Sequence, residues 1–190
     1  MREWKKYLGA ALLSFAAAQA GAATLTATAS PNPANVGQSV AVAVQIIDVP
    51  DLFTYQFSIS FDPTVLQATS VALGDILVTG GTSFGAPGAI DNSAGTISFF
   101  YNTLIGPISG VTGSGTLANI TFQAVGAGSS TFGFTDIMLL NSGGEDIAFG
   151  VANPRVDVSA VPEPATYAML GVGLIGVAAL RRRQLAATRS

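Results

Sequence analysis

The 190-residue chain contains no cysteine and no histidine. The first absence excludes disulfides, thiolate nucleophiles and cysteine-ligated metals, and the second excludes imidazole ligands and any Ser-His-Asp relay. Positive charge is almost missing from the middle of the chain. Of the eight basic residues, Arg2, Lys5 and Lys6 lie at the start and Arg181, Arg182, Arg183 and Arg189 at the end. Between Thr24 and Ala160 the single base Arg155 faces nine acids (Asp48, Asp51, Asp62, Asp75, Asp91, Asp136, Glu145, Asp146 and Asp157), a net of −8. Such a surface is no partner for nucleic acid, whose phosphates call for clustered Lys and Arg. Charged residues make up only 10% of the chain and apolar ones 49%. That balance fits one β-rich domain with Ser, Thr, Asn and Gln on its outer faces, flanked by membrane-inserting ends.

The first end is "MREWKKYLGAALLSFAAAQAGAA". Its basic start, its apolar run from Tyr7 to Ala18 and its small-residue site Ala18-Gln19-Ala20 predict a secretory signal peptide over residues 1–20, cleaved after Ala20 or, as second choice, after Ala23. The alternative, an uncleaved anchor helix, is disfavoured by the short apolar run. The other end is "VPEPATYAMLGVGLIGVAALRRR". Residues 165–180 form an apolar run near the lower limit for a helix crossing a hydrocarbon core of about 30 Å. Arg181, Arg182 and Arg183 place its far end on the cytoplasmic side, with 184–190 as a cytoplasmic tail. Pro162 and Pro164 fix an extended backbone just outside the bilayer, in a form a protease or transpeptidase can grip.

Val161-Pro162-Glu163-Pro164, the short Gly/Ala/Leu-rich helix and the arginine cluster, taken in that order, resemble the PEP-CTERM sorting signal of exopolysaccharide-producing Gram-negative bacteria. The resemblance spans residues 161–183. It implies processing by exosortase, a membrane-embedded cysteine transpeptidase, and passage through an inner-membrane intermediate to the cell surface or extracellular matrix.

Between the ends the dominant period is two. In "FTYQFSISF", Phe53, Tyr55, Phe57, Ile59 and Phe61 alternate with polar residues, as a strand with one buried and one wet face requires. Similar runs occur at Ser39 to Asp48, Gly95 to Asn102, Thr116 to Val125, Thr131 to Leu140 and Arg155 to Ser159, with shorter ones at Leu25 to Ser30 and Val65 to Leu73. Gly, Pro, Asn and Asp punctuate them ("SPNPANVGQ", "FDPT", "NSGGED"), supplying the dihedral angles that turns need. Strands so spaced predict an all-β sandwich or jelly roll over residues 24–159.

The order of "VGQSVAVAV", "FSISFDPTVL", "GDIL", "GTLANITFQAV" and "DIAFGVANPRVDV" resembles the cohesin domain. This is a jelly-roll sandwich of eight or nine strands, related to certain carbohydrate-binding modules. The resemblance implies a binding fold without catalysis of its own, and a dockerin-like protein or a polysaccharide as partner. Two rivals belong to other classes: a polysaccharide-degrading enzyme, which needs paired carboxylates across a groove, and a passive structural matrix component.

Candidate binding residues are few. In "GTISFFYN" the alternation sets Ile97, Phe99 and Tyr101 inward and leaves Phe100 on the polar face, as a stacking residue, under a loop or merely exposed. The stretch from Thr79 to Gly95 is long for a loop; Phe84, Asp91 and Asn92 form a recognition edge there, unless a short strand lies around Ala89 to Ile90. Asp136, Asn141, Glu145 and Asp146 offer hard oxygen ligands for Ca²⁺ but lack the regular spacing of a calcium loop, which favours a solvated turn. No other cofactor is expected.

Overall fold

The computed structural model describes residues 22–160, 169–178 and 181. Thirteen strands in these residues make two large sheets and a small one. In the first sheet β12 (Phe149–Val151), β1 (Ala23–Ser30), β3 (Ser39–Leu52), β9 (Val111–Ala124) and β5 (Leu66–Leu73) lie side by side in that order. The second runs β11 (Gly133–Leu140), β4 (Thr54–Ser60), β8 (Thr96–Leu104), β6 (Ser83–Ala86), with β7 (Ala89–Asp91) also paired to β8. The small sheet is β10 (Gly128–Thr131), β13 (Arg155–Ser159), β2 (Ala34–Asn35). Pairing is antiparallel except where β12 joins β1 and β2 joins β13.

The two large sheets form a sandwich because each strand carries one apolar side. Val40, Val42, Val44 and Ile46 of β3 and Ile120, Phe122 and Ala124 of β9 are buried against Tyr55, Phe57 and Ile59 of β4. Phe57 stacks on Phe100 with centroids 4.8 Å apart, and Phe61 meets Phe122 edge-on at 5.0 Å. Tyr55 reaches across the layers, its hydroxyl donating to the Leu117 carbonyl at 2.5 Å. After β4, the Asp62 carboxylate accepts from the backbone N–H (2.8 Å) and hydroxyl (2.6 Å) of Thr64, closing the "FDPT" turn. These bonds hold its carboxyl below the usual range, the Thr64 hydroxyl contributing most.

All eight expected strands are present, and three local expectations change. The run from Thr131 to Leu140 is two strands: β10 ends at Thr131 in the small sheet, and β11 starts at Gly133 in the second sheet. Gly133 allows the crossing, since a Cβ there would sit 2.6 Å from the Ser60 hydroxyl. The stretch from Thr79 to Gly95 holds β6 and β7, so the short-strand alternative is the one observed. In β8 the alternation slips by one residue. Phe99 adopts a left-handed backbone (φ 59°), Phe57 pairs with Phe100 while Ile59 pairs with Ile97, and the extra residue forms a β-bulge. Phe100, expected on the polar face, is therefore in the core, and Phe99, expected inside, is exposed.

The chain enters and leaves at opposite ends of the sandwich. Thr24 pairs with Ile47 near the end of β3, whereas Ser159 lies beside Asn35 and accepts the Val36 N–H at 3.0 Å, next to the start of β3. The expected signal-peptide site at Ala18 and Ala20 and the motif Val161 to Pro164 lie outside the described residues. So do Arg182, Arg183 and most flanks of the expected span 165–180; residues 169–178 are helical and their apolar side chains are exposed. Among the described residues no helix is long and apolar enough to cross a membrane.

Candidate functional site

The outer face of the second sheet is where exposed aromatic groups gather. Residues paired across antiparallel strands share a side, so the register fixes its rows. One row runs Leu140, Thr54, Thr103, Phe84; the next runs Met138, Gln56, Tyr101, Ala86. Thr54 and Thr103 join their hydroxyls at 2.6 Å. Phe84 is 66% exposed at the β6 edge. In the third row Thr135 pairs with Ser58, and the β8 bulge opposite Ser58 presents Phe99, 63% exposed. Ser58 is buried, and its hydroxyl accepts the Phe99 N–H at 3.2 Å, replacing a ladder bond that the bulge forfeits.

A second bulge flanks β4 on its other side. β11 shifts register between Thr135 and Met138, with Asp136 left-handed (φ 51°) and exposed. The five strands of this sheet contain no Lys or Arg, while Asp136 and Asp91 are exposed towards its two edges. The outer face of the first sheet differs: a shallow trough of about 240 Å³ is lined by Thr28, Ser30, Ala41, Ala43, Asn119 and Thr121, without aromatic or charged side chains.

The expected site residues fall apart into different roles. Phe84 is on the aromatic face. Asp91 and Asn92 hold the fold instead: Asp91 accepts the Ser93 and Ala94 N–H groups at 2.9 and 3.0 Å, and Asn92 clasps the backbone of Ala68 with bonds of 2.8 and 3.0 Å. Phe100 is fully buried. Asp136 sits in the β11 bulge, apart in sequence from Asn141, Glu145 and Asp146 in the turn that follows. Asn141 spends its Oδ1 on the Gly143 and Glu145 N–H groups, both at 2.9 Å, and its amide donates to Glu145 at 3.1 Å. Among the described residues no three carboxylates converge on a cation position.

Beside that turn a cleft of about 340 Å³ is lined by Pro50, Asp51, Asn141 and Asp146. The Asp51 carboxylate is engaged by the Ser142 hydroxyl (2.7 Å), the Ser142 N–H (3.2 Å) and the Gly110 N–H (2.6 Å). Its pKa is lowered, the Ser142 hydroxyl contributing most. This carboxylate staples loops together and is not poised for proton transfer.

Phe99, Tyr101, Gln56 and Thr103 were missed by sequence reasoning. The one signal for Phe99 was a conflict of phase: Ile97 read forward and Leu104 read backward put opposite halves of "SFFYN" inside.

The architecture is a two-layer β-sandwich with a small third sheet and one outer face that carries exposed aromatic side chains. The cohesin-domain model matches residues 25–153, and the chain belongs to that family. A PEP-CTERM protein-sorting motif matches residues 160–183, which implies export to the surface or extracellular space, with exosortase processing. Cellulose-binding protein A of Clostridium cellulovorans is 32% identical over 88 residues, 46% of this chain; the match spans 4% of that protein's length.

Among solved structures, the second type II cohesin module of the ScaA scaffoldin of Acetivibrio cellulolyticus superposes with a TM-score of 0.61. It is 22% identical, with coverage of 77% of this chain and 96% of that one. The cohesin of a type I cohesin–dockerin complex from Clostridium thermocellum gives 0.62 at 13% identity, covering 74% and 95%. A non-cellulosomal cohesin from Archaeoglobus fulgidus gives 0.58 at 15% identity, covering 78% and 98%. These likenesses establish the sandwich fold.

Proposed function

We propose that this chain is a surface-sorted, non-catalytic binding protein whose cohesin domain holds a protein partner of the dockerin kind on the outer face of the β11-β4-β8-β6 sheet. The observation that carries this reading is the contrast between the two outer faces: Phe84 and Phe99 stand exposed on one with the half-buried Tyr101, while the trough on the other is lined by small polar and aliphatic residues with no aromatic or charged side chain. Exposed aromatics on a flat, well-supported surface are the usual anchors of protein interfaces. The sorting motif supports delivery to the surface by exosortase, with the apolar run of residues 165–180 holding the precursor in the membrane as an intermediate.

The test immobilises the full chain in mild detergent and offers it the host's secreted proteins and, separately, its exopolysaccharide. Thr103→Arg, which plants a long cation amid the aromatic rows, serves as the control. A secreted protein bound by the wild type and lost in Thr103→Arg supports the reading. Retention of polysaccharide alone moves the function to sugar binding, and retention of neither refutes partner binding on this face.

A further inference from the structure

The geometry points to Phe99 as the anchor of that face and Asp136 as its charge selector, together fitting a protein partner that offers an apolar pocket bordered by Lys or Arg. The inference rests on the reading just proposed and adds the residues and the chemistry of the partner.

Among the described residues, three outside glycine take left-handed backbone conformations: Asp48, Asp136 and Phe99. Aspartate tolerates this region, because its short side chain bonds locally; a bulky aromatic does not. Phe99 nevertheless holds φ 59° in the middle of a central strand, and the buried Ser58 hydroxyl receives its N–H at 3.2 Å. The strained bulge turns Phe99 out to 63% exposure and at the same time brings Phe100 into the core. A regular strand in phase with Ile97 would instead bury Phe99 and expose Phe100. Strain maintained by its surroundings, with an aromatic ring re-aimed to solvent, is characteristic of binding surfaces.

Asp136 adds the charge. Its bulge lies opposite Phe57 on β11, and that of Phe99 lies opposite Ser58 on β8, so the carboxylate and the ring flank the same two residues of β4. Two strand spacings put their backbones about 10 Å apart, within the span of a single hot-spot cluster. No base in the five strands offsets Asp136, and the one base between Thr24 and Ala160, Arg155, is paired with Asp157 at 2.9 Å in the small sheet. A domain of net −8 with a carboxylate whose charge no base offsets beside its exposed ring attracts a cationic surface and repels an acidic one.

The probe is the host's secreted protein mixture, followed by the purified captured protein, titrated against the full chain in detergent. Phe99→Gly relieves the left-handed strain at the cost of chain entropy, so Tm holds or rises, while affinity falls at least tenfold. Phe99→Trp retains binding. Asp136→Asn, which keeps a residue tolerant of the backbone, weakens binding several-fold at low salt and flattens its salt dependence. Affinity within threefold of wild type in Phe99→Gly, with Thr103→Arg still abolishing binding, overturns the anchor and leaves the face in place. A Tm lowered by more than about 5 °C in Phe99→Gly makes the residue structural and also overturns it. Tighter binding by Asp136→Asn overturns the cationic partner, and no capture by the wild type overturns both readings together.

Discussion

Replacing Tyr55 by phenylalanine tests how the two layers are tied, and pH separates the two effects involved. At pH 7 the substitution removes the hydrogen bond from the Tyr55 hydroxyl to the Leu117 carbonyl, and with it the weaker contact of the buried Asn102 side chain with the same hydroxyl. That carbonyl still accepts the Gly74 N–H at 2.8 Å, so it is not orphaned, and the expected loss is about 1 kcal/mol. Burial also pushes the Tyr55 phenol up to about 12. The ordinary value is near 10, and a gap of this size is worth about 2.7 kcal/mol in full. Because the folded value is the higher, this stability is whole below pH 10 and is lost as the pH climbs from 10 to 12. About 1.4 kcal/mol is gone by pH 11. The variant has no phenol to ionise, so Tyr55→Phe starts about 1 kcal/mol below wild type at pH 7 and meets it near pH 11. Urea unfolding at pH 7, 9 and 11, followed by far-UV circular dichroism, measures the crossing; the only tryptophan, Trp4, lies in the expected signal peptide and cannot report on the sandwich. Other groups titrate alike in both proteins and cancel. A variant that stays equally far below wild type at every pH refutes the claim that burial opposes ionisation of Tyr55.

Phe100→Ala, which empties a fully buried site stacked on Phe57, lowers stability by about 3–5 kcal/mol in urea unfolding; a loss under about 1 kcal/mol would return Phe100 to the surface. Gly74→Ala sets a Cβ 2.0 Å from the Thr116 carbonyl oxygen, a backbone atom that cannot swing away, and thermal unfolding should show a loss of about 3 kcal/mol. The lowered pKa of Asp51 means that its bonds to Ser142 and Gly110 stabilise the fold above the ordinary carboxylate value and fail as pH falls below it. Asp51→Asn therefore flattens the acid limb of Tm between about pH 5 and 2, and parallel curves for the two proteins would refute the staple. Intact mass of the exported protein should show the loss of residues 165–183; retention of that segment contradicts processing at the sorting motif.

The fold was legible because its main strands obey period two for six or more residues, and "SVAVAVQI" and "FTYQFSIS" leave helix no purchase. The short strands β2, β6, β7, β10 and β12, two to four residues each, were not legible as separate strands, apart from the alternative at Ala89 to Ile90. Runs so short carry no phase, and tertiary pairing alone defines them. The site failed for a sharper reason. A bulge shifts phase within a strand, and nothing local in "TISFFYN" marks where the shift falls; the position is set by Ser58 on the neighbouring strand, 41 residues away in sequence. Asp91 and Asn92, expected in a recognition edge, have their side chains engaged by the Ser93, Ala94 and Ala68 backbones, contacts that no pattern of spacing announces.

The last strand also has a mechanical meaning. β13 is bonded on both flanks, Gly128 to Thr131 pairing with it on one side and Ala34 and Asn35 on the other, and it runs straight out towards the tail at Ala160. A pull on that tail lies along the strand axis, so these bonds are sheared together and cannot unzip in sequence. Force applied at Ala160 would therefore enter the sandwich through the one strand of the small sheet that is clamped from both sides.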